Sequence, residues 1–592
     1  MLEEFDIIEK KGFDEYDVQE AIKTQVPNDN AEFSFEMLAW KLVFSNEVNK
    51  WGTHYGPIFI GNNNGETFEI PSRDEITSDA LQYWYKRYEM VQNPLLKVRY
   101  CGLVWDFYYL LPDKRKPFDL YEQYTNALLD VVRGEYLKHK VIGKEYLQYI
   151  KELVFRNSSK CNEWKLVLQN YVSQEEIDST SIGIWCAELD IINNSRNIFT
   201  EEERQASIYQ VQKRYNHFSN TDNIYLLKDI TDLMYEYYVR YGDKAKAHDL
   251  LYDFESILKK NTSLNVLQKE VFYELLLGKY RQLGGYTEDE NRMMKYIHVA
   301  AADSIHQMQQ FEMPIDLTPE QIDGWLTMMT EGEPQIQIER FLLRFLPSIS
   351  KEREDLDRMV RQHPLYYLVP TKLFTDYMPS SVIMPYDQDQ EGHLMLHLTR
   401  TIQLNDIFMN LLLRKLSKNG VLSSDVLNEQ INNSGLVSED RKHLLSNIMN
   451  LFFDRNYVAF CHQVVPQIEK MIRVLLQKSG INILKSQRDG NGFQLRTLDD
   501  LLREPIIDTV FRCEEDKSMS TYLRFILTDQ RGYNYRNLIC HGMINPSLLN
   551  ENVAGRLLHI LMLLLRVQEI LDINNSPTSL ASPSSTSRIC GG

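Results

Sequence analysis

At 592 residues the chain is too long for one ordinary domain, and two or more folded units are expected. Its 43% apolar and 25% charged residues are those of a folded soluble protein. The net charge of −18 falls within residues 1–380, which hold 43 basic and 61 acidic side chains. That surface repels phosphate backbones and argues against broad non-specific nucleic-acid binding, whereas residues 381–580 are nearly neutral and can bind RNA locally.

Cysteine usage and hydropathy predict a cytoplasmic protein without a membrane anchor. The seven Cys are scattered, with no CxxC pair and no His cluster at ligand spacing, which argues against a metal site, a disulfide framework and any metal cofactor. The longest apolar stretch, LLHILMLLL at residues 557–565, is nine residues long, whereas a membrane span needs roughly 20. The first 30 residues are acidic without a long apolar run, so no signal peptide is expected.

Apolar residues recur at helical spacing along most of the chain, so the expected fold class is all-α. Residues 1–80 are expected to hold an N-terminal helix and a small hairpin or ordered loop. The hairpin is predicted because Asn-Asn-Gly lies between short β-like runs in WGTHYGPIFIGNNNGETFEIPSRDEIT. A helix is predicted to begin near Ser78.

Residues 80–350 are predicted to form an irregular α-solenoid built from helix pairs like those of tetratricopeptide repeats, although no strict repeat period is present. Apolar stripes from Ile230 to Tyr238 and from Ala245 to Leu258, separated by Gly242-Asp243, illustrate one helix–turn–helix pair. The abundant Tyr residues suit a role between stacked helices, with the ring inward and the hydroxyl outward. A ligand-stacking groove is the alternative interpretation of that Tyr content.

The last third divides into three predicted segments. Residues 351–395 contain four Pro and are predicted to be a connector, with short strands around LYYLVPTKLF. Residues 396–574 are predicted to form a helical domain. The tail at 575–592 is rich in Ser and Pro, so disorder is expected there, and its Cys-Gly-Gly end is either a conjugation tail or an incidental terminus.

The stretch RGYNYRNLICHGMINPS places Arg536, Asn537 and His541 within six residues, directly before Gly542. On a straight helix the Arg536 and His541 side chains point roughly 140° apart. They converge only if the segment bends near Gly542 or if a second copy of the chain supplies the partner residues. The plainer interpretation is that Arg536 caps a neighbouring helix and that His541 is a satisfied histidine beside a C-capping glycine.

Upstream, DRNYVAFCHQVVPQIEKMIRVLLQKSG places Glu469 and Arg473 at i,i+4 on one helix face. Two roles for Glu469 stay open. It either orients His541 or Arg536 across the bundle through a buried hydrogen bond, or it is an exposed partner of Arg473, worth only about 0.2–0.5 kcal/mol.

Other groups carry weaker signals. His462 lies two helical turns before Glu469 on a similar face and is a minor candidate. Cys540 is expected to pack rather than to act as a nucleophile, because no second His is placed to activate it. The chain has no GxxxxGK[ST], GxGxxG, HExxH or GxSxG motif that would indicate another enzyme class.

Taken together, the PQIE…R helix, the RNxxxHG element and the apolar helix that follows resemble the HEPN superfamily, and most of all an uncharacterised HEPN family with a helical N-terminal region. The resemblance covers about residues 450–570 and extends more loosely to IPSRDEITSDALQYWYKR…NPLLKVRYCGLVWDF. It implies an up-and-down bundle of four to five helices that commonly dimerises, and a metal-independent endoribonuclease. It also implies that Arg536, Asn537 and His541 of two protomers line a shared cleft. Glu469 and Arg473 are the predicted supporting residues on the PQIE helix.

The chemistry of these residue types fits RNA cleavage. RNA carries its own nucleophile, the ribose 2′-hydroxyl, so the protein must supply a base, an acid and a positive charge. Histidine titrates near neutral pH and suits the proton transfers, and arginine matches phosphate oxygens with a permanent forked cation. Asn537 can orient the phosphate or the imidazole. The expected products are a 2′,3′-cyclic phosphate and a 5′-hydroxyl.

Two hypotheses of different class follow. In the first, the chain is a HEPN ribonuclease whose N-terminal helices sense a trigger or act as a scaffold, as suits an RNA-targeting effector in stress response or antiviral defence. In the second, it is a non-catalytic module that binds RNA or protein, with the acidic N-terminal helices as the protein-binding surface. The intact Arg-Asn-x3-His favours the first hypothesis, and the charge of −18 favours the second.

Overall fold

A computed structural model describes residues 10–25, 31–63, 66–195, 197–305, 317–374, 379–487 and 492–567. The predicted all-α class is confirmed, since the described chain is mostly helical and its strands form only two-stranded sheets. Within these ranges no helix has the length and apolar character needed to traverse a lipid bilayer. The predicted disordered tail and its Cys-Gly-Gly end lie outside the described residues.

The chain divides into two compact units, Met1–Ala300 and Ala301–Gly592, each with its own hydrophobic core. The division falls before the predicted connector at 351–395. Ile338 and Phe341 lie in the core of the second unit, so that unit already includes helices upstream of the connector.

The first unit consists of two N-terminal helices, two hairpins and a succession of further helices, of which the last crosses the division. The elements are α1 (Glu15–Gln25), α2 (Ala31–Lys41), β1 (Leu42–Phe44), β2 (Tyr55–Pro57), β3 (Phe59–Asn63), β4 (Glu66–Ile70), α3 (Ser78–Met90), α4 (Pro94–Phe107), α5 (Leu120–Arg133), α6 (Ile142–Val154), α7 (Ser158–Val172), α8 (Ile182–Trp185), α9 (Ala187–Asn193), α10 (Glu201–Phe218), α11 (Ile224–Arg240), α12 (Lys244–Lys260), α13 (Val266–Leu283) and α14 (Thr287–Ile305).

The predicted N-terminal hairpin is confirmed by β3 and β4, which pair antiparallel from Phe59↔Ile70 to Asn63↔Glu66. The turn residues 64 and 65 between them lie outside the described residues. The helix predicted near Ser78 begins there, because the Thr77 side chain accepts a hydrogen bond from the backbone N–H of Ala80 and caps the helix.

The predicted helix–turn–helix pair is α11 and α12. Gly242 adopts φ +79°, which a residue with a side chain rarely reaches, and Asp243 caps α12 through the N–H of Lys246. Successive helices pack against each other from α3 to α7 and from α10 to α13. The solenoid arrangement itself stays a prediction.

Tyrosines bridge helices of the first unit, as predicted. The Tyr235 ring of α11 is buried, and its hydroxyl donates to the Lys279 carbonyl of α13 at 3.0 Å. The Tyr215 hydroxyl of α10 donates to the Asp253 carboxylate of α12 at 2.9 Å. These hydroxyls do not point to solvent as expected, since each is satisfied by the next helix but one.

The second unit has one very long helix, two short hairpins and a compact group of C-terminal helices. Its elements are α15 (Pro319–Met329), α16 (Pro334–Arg344), α17 (Ile349–Gln362), α18 (Pro364–Tyr367), β5 (Thr371–Phe374), β6 (Pro379–Ile383), α19 (Gln390–Lys418), α20 (Ser424–Asn433), α21 (Glu439–Phe453), α22 (Tyr457–Lys478), β7 (Leu484–Ser486), β8 (Phe493–Leu495), α23 (Leu498–Leu502), α24 (Ile506–Val510), α25 (Ser518–Leu527), α26 (Tyr535–Cys540) and α27 (Glu551–Leu565).

Helix α27 is the centre of the second unit, and every residue from Val553 to Leu565 is buried. It packs against α19 and α22, and α22 in turn packs against α21 and α26. The apolar stretch singled out in the sequence is therefore a core helix, as predicted.

One charged pair lies inside that core. The Arg556 guanidinium of α27 donates from Nε to the Asp406 carboxylate of α19 at 2.5 Å, and its other nitrogens reach the carbonyls of Phe345 and Ile402. The carbonyl of Phe345 directly follows α16. A buried guanidinium thus binds α16 to α27, which explains why the second unit starts upstream of residue 351.

A neutral histidine, His559, extends this buried hydrogen-bond network. His559 donates from Nε2 to the Leu342 carbonyl at 3.0 Å, so its Nδ1 accepts from the Tyr522 hydroxyl at 2.9 Å. Burial and the nearby Arg556 charge lower the pKa of His559 to about 3. His559 is therefore a structural residue of the core.

Five cysteines are free thiols: Cys101, Cys161, Cys186, Cys461 and Cys540.

Replacing Asp406 with Ala should destabilise the second unit by about 3–5 kcal/mol, because it leaves the Arg556 charge buried without its counter-ion. Differential scanning calorimetry should show that the midpoint temperature of one unfolding transition is lowered. Arg414→Ala is the matched control, since Arg414 and Glu551 join the same two helices at the surface, where a pair contributes less than about 1 kcal/mol. Equal effects of the two variants would contradict the assignment.

Candidate functional site

Helices α22 and α26 pack against each other and carry the residues singled out in the sequence. Asn456 caps the start of α22, since its side chain accepts a hydrogen bond from the N–H of Ala459. Pro466 lies inside this helix on its exposed side. Glu469 and Arg473 lie one turn apart, partly buried, with Arg473 only 10% exposed.

A tight turn after α25 sets the direction of α26. A Cβ on Gly532 would lie 2.5 Å from the Phe525 carbonyl oxygen, so only glycine fits there. Asn534 then adopts the left-handed conformation, with φ 53°, which asparagine tolerates better than most residues. The next residue begins the six-residue helix that carries the motif.

Helix α26 ends in a Schellman motif. The N–H of Met543 donates to the Leu538 carbonyl at 2.8 Å, the N–H of Gly542 donates to the Ile539 carbonyl at 3.1 Å, and Gly542 has φ +66°. His541 is the C-cap residue and is exposed. The expectation of a C-capping glycine beside His541 is thus confirmed.

Glu469 binds both arginines. Its Oε2 accepts from Arg536 Nε at 2.8 Å, and its Oε1 accepts from Arg473 Nε and Nη2 at 3.1 and 2.6 Å. Burial raises the pKa of the Glu469 carboxyl, but the hydrogen bonds and charges of the two guanidiniums outweigh it and lower the pKa overall. Glu469 therefore stays ionised and holds Arg536 in place.

Asn537 orients Arg536. Its side-chain oxygen accepts from Arg536 Nη1 at 3.0 Å, and its amide nitrogen donates to the Asn534 side chain at 2.7 Å. Both ends of the amide are engaged, so Asn537 is a positioning residue for the guanidinium. The expected contact of Asn537 with the imidazole is not among the hydrogen bonds of the described residues.

His541 stands apart from this network. Among the described residues, no side chain forms a hydrogen bond or ion pair with its imidazole, which is exposed to solvent. His541 follows Arg536 by five positions along the chain, and its exposed imidazole remains free to take up a ligand.

Of the two weaker candidates, Cys540 differs from its prediction in its packing only, and no contact among the described residues gives His462 a role. Cys540 is exposed rather than packed. Partial burial still raises the pKa of its thiol, which argues against a reactive thiolate. His462 is exposed on α22, and no described side chain forms a hydrogen bond or ion pair with its ring.

Both open roles of Glu469 are resolved by these contacts. The contact across the bundle exists and goes to Arg536, not to His541, and the pair with Arg473 is partly buried rather than exposed. Arg536 does not cap a neighbouring helix. The structure therefore brings four of the five predicted residues together and leaves His541 outside their hydrogen-bond network.

Sequence reasoning missed the residues that support the hydrogen-bond network around Glu469 and Arg536. The backbone carbonyl of Arg496, just after β8, accepts from Arg473 Nη2 at 3.0 Å, and Asn534 supports Asn537. The only sequence signal for these supporting residues is at Asn534, because asparagine tolerates the left-handed conformation. In the described part of the chain, no three His, Cys, Asp or Glu side chains form a group that could hold a metal ion.

No protein-family model, characterised protein or solved structure matches this chain. The resemblance to the HEPN superfamily therefore rests on the motif residues themselves.

Replacing Glu469 with Gln should destabilise the protein by about 1–3 kcal/mol at pH 7, because both guanidiniums lose their charged acceptor. The pKa of Glu469 is lower in the folded state than in the unfolded state, so its contribution is complete above the unfolded value of about 4.3 and is lost as the pH falls through the folded value. The difference between wild type and variant in urea unfolding should therefore shrink below about pH 4. A difference that does not depend on pH would contradict this role.

Proposed function

We propose that the protein is a metal-independent endoribonuclease of HEPN type that acts as a homodimer. The observation that carries the proposal is that one motif residue, Arg536, is a fixed guanidinium while another, His541, has a free imidazole. Glu469 and Asn537 hold Arg536 in one orientation, while the exposed His541, five residues away, forms no bond with any described side chain. Arg536 remains 26% exposed and so can still reach a phosphate.

Each group has a defined part in the reaction. An imidazole takes the proton of the ribose 2′-hydroxyl, and the resulting oxygen attacks the phosphorus. Arg536 stabilises the negative charge that builds up on the phosphorane oxygens. The P–O5′ bond then breaks, the leaving oxygen receives a proton, and a 2′,3′-cyclic phosphate and a 5′-hydroxyl result.

The need for both a base and an acid supports a dimer. One chain contributes a single motif imidazole. Cleavage needs one group that accepts the proton of the 2′-hydroxyl and another that donates a proton to the leaving 5′-oxygen. A two-fold axis next to His541 would supply the second imidazole from an identical residue. The exposure of His541 is compatible with such an arrangement.

The local charge balance suits a restricted RNA site. Glu469 neutralises one of the two guanidiniums, so the cluster of Glu469, Arg473 and Arg536 carries one net positive charge. The nearly neutral C-terminal part does not oppose a phosphate, while the acidic residues 1–380 do. We infer that RNA contacts the C-terminal part rather than residues 1–380, as would suit an RNA-targeting effector in stress response or antiviral defence.

A non-catalytic interaction module is the second candidate. The excess of acidic residues in the first two thirds of the chain favours it, because such a surface suits a protein partner with basic groups. In that case Arg536 and Glu469 would have a purely structural role.

Purified protein should cleave labelled RNA in the presence of EDTA. His541→Ala and Arg536→Ala should each reduce the rate about 10²–10⁴-fold, because they remove proton transfer and charge stabilisation, respectively. The products should carry 2′,3′-cyclic phosphate ends, which mass spectrometry of the fragments would detect.

His443→Ala is the matched control, since His443 is an exposed histidine on α21 of the same unit and is not part of the motif. His462→Ala tests the remaining histidine on α22. Cleavage that persists in both the His541 and Arg536 variants would identify a contaminating nuclease and favour the interaction module.

A further inference from the structure

A cavity of about 550 Å³ opens in the first unit between α7, α9 and α10. This volume lies within the range of roughly 300–1,000 Å³ that is typical of small-ligand sites. Its wall combines the apolar side chains of Val172, Ile177 and Val211 with the polar groups of Gln169 and Ser207. The cavity therefore has room for a ligand that carries both an apolar part and a polar group.

The carboxylate of Glu188, on α9, lines this cavity although its residue is only 8% exposed. No described side chain forms an ion pair with it. Burial raises the pKa of the Glu188 carboxyl, and the neighbouring Ser207 and Gln169 offset that effect only in part. An ionised carboxylate at this depth is costly without a counter-ion, so the chain leaves one charge uncompensated at the cavity.

The nearest cations are engaged elsewhere. The Lys165 ammonium binds the Glu203 carboxylate at 2.7 Å. The Arg214 guanidinium lies 4.7 Å from the centre of the Trp185 ring and donates to the carbonyl of Glu175 at 2.6 Å. Both cations are therefore held by other groups, and neither forms an ion pair with the buried carboxylate.

The charges around the cavity favour a cation over an anion as its ligand. Its lining contains four carboxylates and two cations, so it has an excess of two negative charges. One of the two cations, Lys213, is exposed and lies 4.6 Å from the centre of the Tyr209 ring. An anion would be repelled by this lining, whereas a cation would be attracted to it.

We propose that this cavity binds a cationic group, an ammonium or a guanidinium on an apolar stem, with Glu188 as its counter-ion. The stem would pack against Val172 and Val211, as the methylene chains of lysine and arginine do on apolar surfaces. Two sources share this chemistry: a free polyamine and a basic side chain of a partner protein. The inference does not depend on the proposed nuclease, because no motif residue lines the cavity.

The test is isothermal titration calorimetry of the full-length protein with two cationic probes, spermidine and the peptide acetyl-Gly-Lys-Gly-amide. Wild type should bind a cationic probe at one site per chain. Glu188→Gln should raise the Kd at least about tenfold, because it removes the counter-ion and keeps the shape of the side chain. The same peptide with norleucine in place of lysine should not bind, since it has the stem without the charge.

Glu236→Gln is the matched control, because Glu236 is an exposed acidic residue on α11 of the same unit. It removes one surface charge and should leave the Kd unchanged. Ala206→Phe fills the cavity without a change of charge, and Ala206 is exposed, so the core is not displaced. This variant should also raise the Kd at least about tenfold.

Thermal unfolding without ligand gives an independent check. Glu188→Gln should unfold at the same temperature as wild type or a higher one, because an amide needs no counter-ion. A clearly lowered midpoint would show that the chain already compensates this carboxylate, and it would overturn the inference.

The two probes also distinguish the sources of the cation. Binding of spermidine alone assigns the cavity to a free polyamine, and binding of the lysine peptide alone assigns it to a side chain of a partner protein. Binding of both supports the shared chemistry. No saturable binding of either probe, or equal binding by wild type and Glu188→Gln, would contradict the proposal.

Discussion

The candidate site depends on the placement of one carboxylate between two guanidiniums. Glu469 is only 16% exposed, and it compensates part of the positive charge that Arg473 and Arg536 bring into a partly buried position. Each of its two oxygens binds one arginine: Oε1 accepts from Arg473 on the same helix, and Oε2 accepts from Arg536 of the motif. The orientation of Arg536 therefore follows from how α22 and α26 pack.

A second buried polar chain fixes the rest of the unit around this site. Asp406, Arg556, Tyr522 and His559 connect α19, α25 and α27, and the carbonyls of Leu342 and Phe345 attach α16 to them. A buried polar group without a partner is costly, so these contacts select one arrangement of otherwise interchangeable apolar helices. The motif helix is thereby held against a defined surface.

The contrast between a fixed cation and a free imidazole gives the site its chemical character. Glu469 and Asn537 hold Arg536 in one orientation. A guanidinium that is fixed in advance can stabilise a charge without first having to reorient. His541, at the end of a helix stopped by Gly542, faces solvent. The orientation of Arg536 is thus fixed within one chain, whereas the imidazole of His541 has no partner among the described side chains.

Local patterns in the sequence determined the helices, their caps at Thr77 and Asp243, the β3–β4 hairpin, the stop at Gly542 and the i,i+4 pair of Glu469 and Arg473. These features depend on a few neighbouring residues, and hydrophobic periodicity and turn chemistry report on that range. Only the tertiary structure decided that Glu469 binds Arg536, 67 positions away, that Asn537 serves the guanidinium, and that the second unit begins before residue 351. Hydrophobic periodicity shows which face of a helix is apolar but not which helix packs against that face. The partner of a polar side chain is set only by this packing.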